Sequence, residues 1–473
     1  MLARILRAAA DRLSQFHSRF ARLFGRIEAQ EHSRTYLQGL LLAEGHKSIE
    51  PIALRFAQPK NNEPVSQNQV LALQGFVTDS PWESSAVQKE IQAVFAEEFV
   101  PSTTGSALGT VGVIDESSFE KSGPHSVGTK RQYCGRLGKT ENCQVGVFLV
   151  GSTPAGDALL DHQLYLPQEW ATDAKRRKKA RVPKEIRFQT KPAIAAELIR
   201  RTEANGHVSF DWIVADEHYG ENGTFLDTLE EQGKRYMVEV PSNTTFWSVD
   251  PATQVPQGSS AAGRPPSRPS REYVASAAEL AAGLPVEAWQ PIKLREGENG
   301  PLVYEYARRR LWAVRHRKPG PAIWLVFQRS PDNPDEIKYW VSNADEATPL
   351  VTLALAGAVR LRVEIFLEEA KGELGMADYE ARAWTSWHHH MSLVALAHLY
   401  ATQVRNDTRA TEPRMTLRQG FDLLKAALIR PQLSVEEALH LTEYHLTRNE
   451  IAKRSHRKTW LAKHKELKQK LLL

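Results

Sequence analysis

Three acidic residues stand where side-chain carboxylates could work together at a phosphate. Asp115 follows the apolar run 110–114, Asp216 follows the apolar run 212–215, and Glu364 lies within VRLRVEIFLEEAKGELG, a stretch of helical texture. A strand end lets a carboxylate stand at a sheet edge without burial, so two such aspartates on neighbouring strands would face each other. On the expected helix Leu361, Glu364 and Glu368 share one face, with Lys371 one turn further along from Glu368. Three carboxylates converging at one point are what hard divalent cations such as Mg2+ require. Two such ions about 3.5–4 Å apart can flank a phosphate during in-line displacement. The chemistry implied is that of phosphodiesters. With 56 acidic residues in the chain many triples exist, and spacing alone does not bring these three together. Asp115 and Asp216 also have acidic neighbours, Glu116 and Glu217, which leaves the assignment open by one residue, since only one of each pair in an alternating strand points into a site.

The chain that must position these acids has 473 residues, several times a domain of roughly 100–150, so two to four structural units are expected. With 41% hydrophobic and 25% charged residues it can bury a sizeable core, which excludes a peptide scaffold and wholesale disorder. Cys134 and Cys143 are too few for a disulfide framework or a thiolate zinc site and suit the cytosol. No run approaches the roughly 20 apolar residues of a membrane helix, and the arginine-rich start is unlike a signal peptide. A cytoplasmic protein without membrane contact is expected.

Apolar residues at spacings of three and four predict an amphipathic helix over 2–27, with further helices around 35–45, 68–76 and 85–98. Short β-type runs at 110–114, 143–151 and 158–166 follow, with Gly135 and Gly138 marking a turn. Then come a helix over 192–204, a strand over 209–215, a helix over 224–232 and a strand over 235–240. Residues 250–270 are rich in Pro, Gly, Ser and Ala and predict an exposed, poorly ordered loop. Strands are expected at 302–306, 311–314, 323–329 and 337–342, helix over 349–374, and mostly helix thereafter. The expected division is a helical region over 1–105, an α/β part over 106–241, a β-rich insertion over 242–345, the rest of the α/β part with its helix over 346–400, and a basic helical region over 401–473.

The formal net charge is only +5, but positive charge is concentrated in the run from Lys175 to Arg181, in Arg308, Arg309 and Arg310, and in the last 23 residues. Such runs meet phosphates or are merely solvated faces. His125, Lys130 and Arg131, expected in a loop after the first strand, are candidate backbone contacts on the same footing. His388, His389 and His390 point about 100° apart on a helix and cannot easily ligate one ion. They are expected on a helix surface. Trp384 and Trp387 are expected in the core, and Trp289 and Trp312 either stack on an extruded base or, more commonly, fill a sheet.

The chain resembles the DDE-class transposases of bacterial insertion sequences, specifically the 701 group, related to the group numbered 4. The resemblance rests on VGVIDESSFEKSGPHSVGTKRQYCGRLGKTENCQVGVFL, ALLDHQLYLPQEW, VADEHYG, REGENGP, KYWVSNA and VEIFLEEAKGELGMADYEARAWTSWHHHMSLVALAHLY, in that order over about 110–400. It implies a ribonuclease-H-like catalytic domain over 106–241 and 346–400, with a β-rich insertion before the last catalytic helix, flanked by a helical, DNA-binding N-terminal region and a basic helical C-terminal one. Position by position, it places the catalytic, metal-holding acids at Asp115, Asp216 and Glu364, with two Mg2+ ions for which Mn2+ can substitute. Arg360 and Lys371, with Lys130 and Arg131, would contact DNA phosphates. Gly357 stands where the related group's helix signature has tyrosine, and Leu361 where a tryptophan is usual. The implied partners are double-stranded DNA, as terminal inverted repeats and as target, and further copies of the chain, at least a dimer on DNA. The implied activity is cut-and-paste transposition in the bacterial nucleoid. A catalytically inactive DNA-binding relative and a ribonuclease-H-like nuclease without strand transfer are the alternatives.

Overall fold

The computed structural model describes residues 9–57, 65–254, 273–297, 300–409 and 435–463, together with Gln419 and Lys425. Among the described residues five helices come first: α1 (Ala9–Ala21), α2 (Ile27–Leu42), α3 (Ile49–Phe56), α4 (Gln67–Thr78) and α5 (Ser84–Glu98). The amphipathic run expected as one helix stops early. A 3-10 turn over Arg22–Phe24 ends at Gly25, whose φ of 79° is accessible to glycine at no steric cost, and α2 starts afresh. Residues 2–8 of that run lie outside the described residues.

Then follow β1 (Val111–Glu120), β2 (Lys130–Cys134), β3 (Lys139–Thr153), β4 (Gly156–Leu164), α6 (Gln168–Thr172), α7 (Ala174–Lys179), α8 (Lys191–Ala204), β5 (Trp212–Ala215), α9 (Glu217–Gly220), α10 (Gly223–Glu231) and β6 (Arg235–Val240). Next come β7 (Thr245–Trp247), β8 (Val274–Ser276), α11 (Ala277–Ala282), β9 (Gln290–Gly297), β10 (Gly300–Arg315), β11 (Lys318–Ser330) and β12 (Asn333–Ser342). The last elements among the described residues are α12 (Leu350–Ala358), α13 (Arg360–Glu373), α14 (Trp384–Arg409) and α15 (Val435–Lys463). Among the described residues no helix is long and apolar enough to cross a membrane.

All twelve strands form one mixed sheet in the order β2-β3-β1-β5-β6-β12-β11-β10-β7-β8, with β4 paired to β3 and β9 to β10. β1, β5 and β6 run parallel, which requires the long crossovers that precede β5 and β6, and the hairpin-connected strands run antiparallel. The 242–345 segment forms no separate sheet. Its β12 pairs with β6 from Tyr339↔Val240 to Ser342↔Met237 and extends the sheet that bears Asp115.

Four expectations need correction. Asp115 does not end its strand, because β1 continues to Glu120, its polar second half pairing with β3 as far as Glu120↔Cys143. Lys130 and Arg131 lie not in a loop but at the start of β2, an edge strand too polar to be legible as one. The two strands expected over 302–314 are the single β10, whose Arg308, Arg309 and Arg310 continue the ladder opposite Val326, Leu325 and Trp324. The helix expected over 349–374 is two, α12 and α13, separated at Val359, where Arg362 N donates to the Val359 carbonyl at 2.8 Å in a tightened turn. Of the loop expected over 250–270, residues 255–270 lie outside the described residues, as does the basic terminus from 464 onward.

One buried core runs from Leu13 in α1 to Val404 in α14, so the N-terminal helices and the sheet share it. In α13, Val363, Phe366, Leu367 and Ala370 recur at helical spacing and form the buried stripe. Gly220, ending α9, packs against β6 so closely that a β-carbon there would fall well inside van der Waals contact with the Glu239 carbonyl. Gly220→Ala is therefore expected to cost about 2 kcal/mol of unfolding free energy in urea titration. A loss below about 0.5 kcal/mol would show that the α9–β6 contact yields freely.

Candidate functional site

Strand alternation resolves the choice between Asp115 and Glu116. Asp115 faces α13, where its Oδ2 lies 3.3 Å from Arg360 Nη1, and Glu116 faces α8, where its Oε2 lies 2.6 Å from Lys191 Nζ. The parallel register Val113↔Val214, continued two residues beyond its last pair, brings Asp115 level with Asp216. Asp216 is the N-cap of α9 and its Oδ1 accepts from His218 N at 3.1 Å, leaving Glu217 exposed. Asp216 also acts electrostatically on Asp115. The structure thus gathers Asp115 and Asp216 at adjacent strand positions and sets Glu364 opposite them on α13.

Arg360 joins the two sides. Its Nη1 reaches Glu364 Oε1 at 2.8 Å as well as Asp115, so both carboxylates share one nitrogen. Side-chain exposure is 11% for Asp115, 15% for Arg360 and 53% for Glu364, so the pair with Asp115 is nearly dry while Glu364 opens to solvent. Burial pushes the Asp115 carboxyl up to about 7; Arg360 opposes that shift, and the Asp216 charge adds to it. Burial works against the Arg360 guanidinium, but Asp115, Glu364, Asp216 and Glu239 outweigh it and hold its pKa above the usual value.

Glu239 was not singled out by sequence reasoning. It lies on β6, whose register Ala215↔Val238 puts it beside Asp216, and burial raises its carboxyl pKa against the pull of Lys338, 3.6 Å away. The available signal was an acid inside the apolar run RYMVEV, next to a strand already carrying an acid. Tyr219 was also missed. Its hydroxyl is fully buried and without a hydrogen-bond partner among the described residues, in the field of Glu116, Asp216 and Asp115. A groove of about 690 Å3 opens beside Arg360, Leu361 and Glu364, with Trp340, Tyr304 and the cationic Arg295, Arg329 and Lys338 on its other walls.

The remaining candidates fall elsewhere. Lys371 does not pair with Glu368; it donates to the Ser118 carbonyl at 3.3 Å and pins α13 to β1, with burial lowering its pKa. Lys130 pairs with Glu169 at 2.6 Å, and exposed Arg131 stands on the edge strand with β3 between it and β1, so neither meets the acids. His125 is an exposed loop residue. The three histidines are not on a surface. His389 is buried with Nδ1 3.0 Å from the Val77 carbonyl and Nε2 2.8 Å from that of Trp82, His390 lies 2.9 Å from Tyr36 Oη, and His388 Nδ1 is 3.0 Å from the Trp384 carbonyl. Their helix is covered by the N-terminal bundle, which the local sequence does not reveal. Trp384 and Trp387 are core residues, as expected. Trp289 and Trp312 are half-buried in the sheet region, the former under the Arg329 guanidinium at 4.0 Å.

Among the described residues no three His, Cys, Asp or Glu side chains stand close enough to hold a metal ion. The chemistry of the donors nonetheless fits a hard cation, because Asp115, Asp216 and Glu364 offer only carboxylate oxygens and their shared counter-charge is a single guanidinium.

Known proteins place the chain in a family. The family described as DDE superfamily endonuclease matches residues 19–301, a span that contains Asp115 and Asp216. A probable transposase for insertion sequence element IS701 from Microchaete diplosiphon is 31% identical over 172 residues, 36% of this chain and 40% of that protein. The match therefore spans less than half the length of that relative.

Asp115 holds its proton more tightly folded than unfolded. The stability this contributes is fully present below about pH 4 and is lost as the pH rises through about 7. With divalent ions chelated, Asp115→Asn should match the wild-type melting temperature near pH 4 and exceed it near pH 8, by scanning calorimetry. A difference that does not change with pH would mean that Arg360 neutralises the carboxylate fully.

Proposed function

The chain belongs to the DDE superfamily endonucleases, and from that premise we propose that it is a cut-and-paste DNA transposase. It would cleave at the ends of an insertion sequence and join them to target DNA, through a ribonuclease-H-like catalytic plan with an inserted β-rich segment. The observation that carries this reading is the gathering of Asp115, Asp216 and Glu364 around one buried guanidinium at the face where α13 meets the sheet. The partial match to a probable insertion-sequence transposase supports it.

Asp115, Asp216 and Glu364 are the residues that would hold a pair of Mg2+ ions, which when bound supply an acidified attacking hydroxyl and a counter-charge for the leaving oxygen. Arg360 gives up its carboxylates to bind a phosphate oxygen beside the scissile bond, a role its planar fork suits better than an ammonium would. Lys371 holds α13 in register on β1 through Ser118 and exchanges that carbonyl for phosphate when DNA enters. Burial around Asp115 keeps bulk water from screening these charges. The partners in this reading are the terminal repeats and target duplex, engaged by at least two copies of the chain, in the bacterial cytoplasm.

Asp115→Asn, Asp216→Asn and Glu364→Gln are each expected to lower Mg2+-dependent cleavage of a terminal-repeat duplex at least about a hundredfold, with end binding largely kept. Cleavage at the wild-type rate by any one of them would remove that residue from the centre. Joining of a pre-cleaved end to plasmid DNA is expected for the wild type. Cleavage without a joined product would favour a nuclease, and binding alone an inactive relative.

A further inference from the structure

Two of the basic runs have opposite fates in the fold. Arg308, Arg309 and Arg310 each donate to a main-chain carbonyl, of Thr348, Gly283 and Ala344, so that run is absorbed by structure. The run around α7 divides by side. Arg176 lies over the Trp170 ring at 3.7 Å and donates to the Pro124 carbonyl, Arg177 donates to the Ala171 and Pro183 carbonyls, and Arg181 pairs with Asp79. Asp173 caps the helix by accepting from the main-chain nitrogens of Lys175 and Arg176. Lys175, Lys178 and Lys179, spaced to share one helical face, are exposed and have no side-chain partner among the described residues. Residues 173–187 hold eight Lys or Arg against Asp173 and Glu185, a larger net charge than the +5 of the whole chain.

We propose that this lysine face is a site for the phosphate backbone of duplex DNA, separate from the cleavage centre; the proposal rests on the DNA-directed reading given above. Its position suits that role. α7 is held to the loop after β1 by Arg176 on Pro124 and, through α6, by the Trp170 indole on the Thr129 carbonyl. That loop leaves the end of β1 that points the same way as the Asp216 end of the parallel β5. From Asp115 to Glu120 the strand advances about 17 Å, the rise of roughly five base pairs. The side of α7 facing solvent presents only Ala174 and the three lysines. Protein interfaces are depleted in lysine at their centres, so a phosphate chain fits this face better than an acidic protein does. Point charges on flexible stems contact phosphate without reading bases, which makes the site indifferent to sequence.

The test uses the full chain and a labelled duplex of about 40 base pairs of arbitrary sequence, titrated between roughly 50 and 200 mM salt. Lys175→Ala, Lys178→Ala and Lys179→Ala combined should weaken binding about tenfold or more and reduce the slope of log affinity against log salt by about 2.7. The melting temperature should not change, and the corresponding triple arginine variant should restore both affinity and slope. An unchanged slope in the alanine variant overturns the lysine site while leaving the transposase reading in place. Failure of the wild type to bind any duplex overturns both. Stronger displacement by polyglutamate of matched charge than by unlabelled duplex would assign the face to an acidic protein instead.

Discussion

The face where α13 meets the sheet is organised by one charge problem. Asp115 is a carboxylate in the middle of a strand, walled by β3 and β5 and nearly out of water, and such a charge is stable only against a partner. Arg360 supplies that partner and at the same time holds Glu364, so a single side chain ties the sheet to α13. A buried ion pair of this kind adds little net stability compared with an apolar contact, but removing Arg360 would leave Asp115 stranded, whereas Arg360 keeps Glu364 if Asp115 is lost. The arrangement is therefore better suited to fixing the relation of helix to sheet, and to being exchanged for other positive charge, than to strengthening the fold.

The surrounding structure keeps α13 from answering that charge in any other way. Lys371 anchors the helix to β1 at Ser118, Arg362 reaches Asp157 at 3.2 Å, and His398 on α14 lies 3.5 Å from Glu369. Lys47, beyond α2, donates to the Glu373 carbonyl at 2.6 Å, so the N-terminal bundle also grips the end of α13. Burial lowers the pKa of His389 and His390 to about 4, so they are neutral at ordinary pH and act as hydrogen-bonding core residues. Through them α14 fastens the bundle to the rest, with the His389 ring stacked on Trp82 at 3.6 Å between centroids.

What could be read from the amino-acid order follows from how local each signal is. The short apolar runs just before Asp115 and Asp216 announce themselves as strand, and β6 matches its expected bounds of Arg235–Val240. β2 was invisible because KRQYC has no apolar face of its own and is a strand only by pairing with β3. The break at Val359 was hidden because apolar residues continue through it, and the three histidines were misjudged because their covering helices lie more than 300 residues away in sequence. Glu239 and Tyr219 escaped for the same reason: only the register of β5 against β6, and the turn of α9, bring them beside the acids. The basic runs looked alike in sequence, and only the carbonyls around Arg308, Arg309 and Arg310 distinguish that run from the one on α7.

The pairing of β12 with β6 makes the 242–345 segment inseparable from its host. A chain cut free of it would leave the backbone donors and acceptors of β6 bare, one strand away from Asp216, as an edge open to any passing strand. The segment is a seal as much as an addition, and its loss would show first as self-association of the remaining sheet.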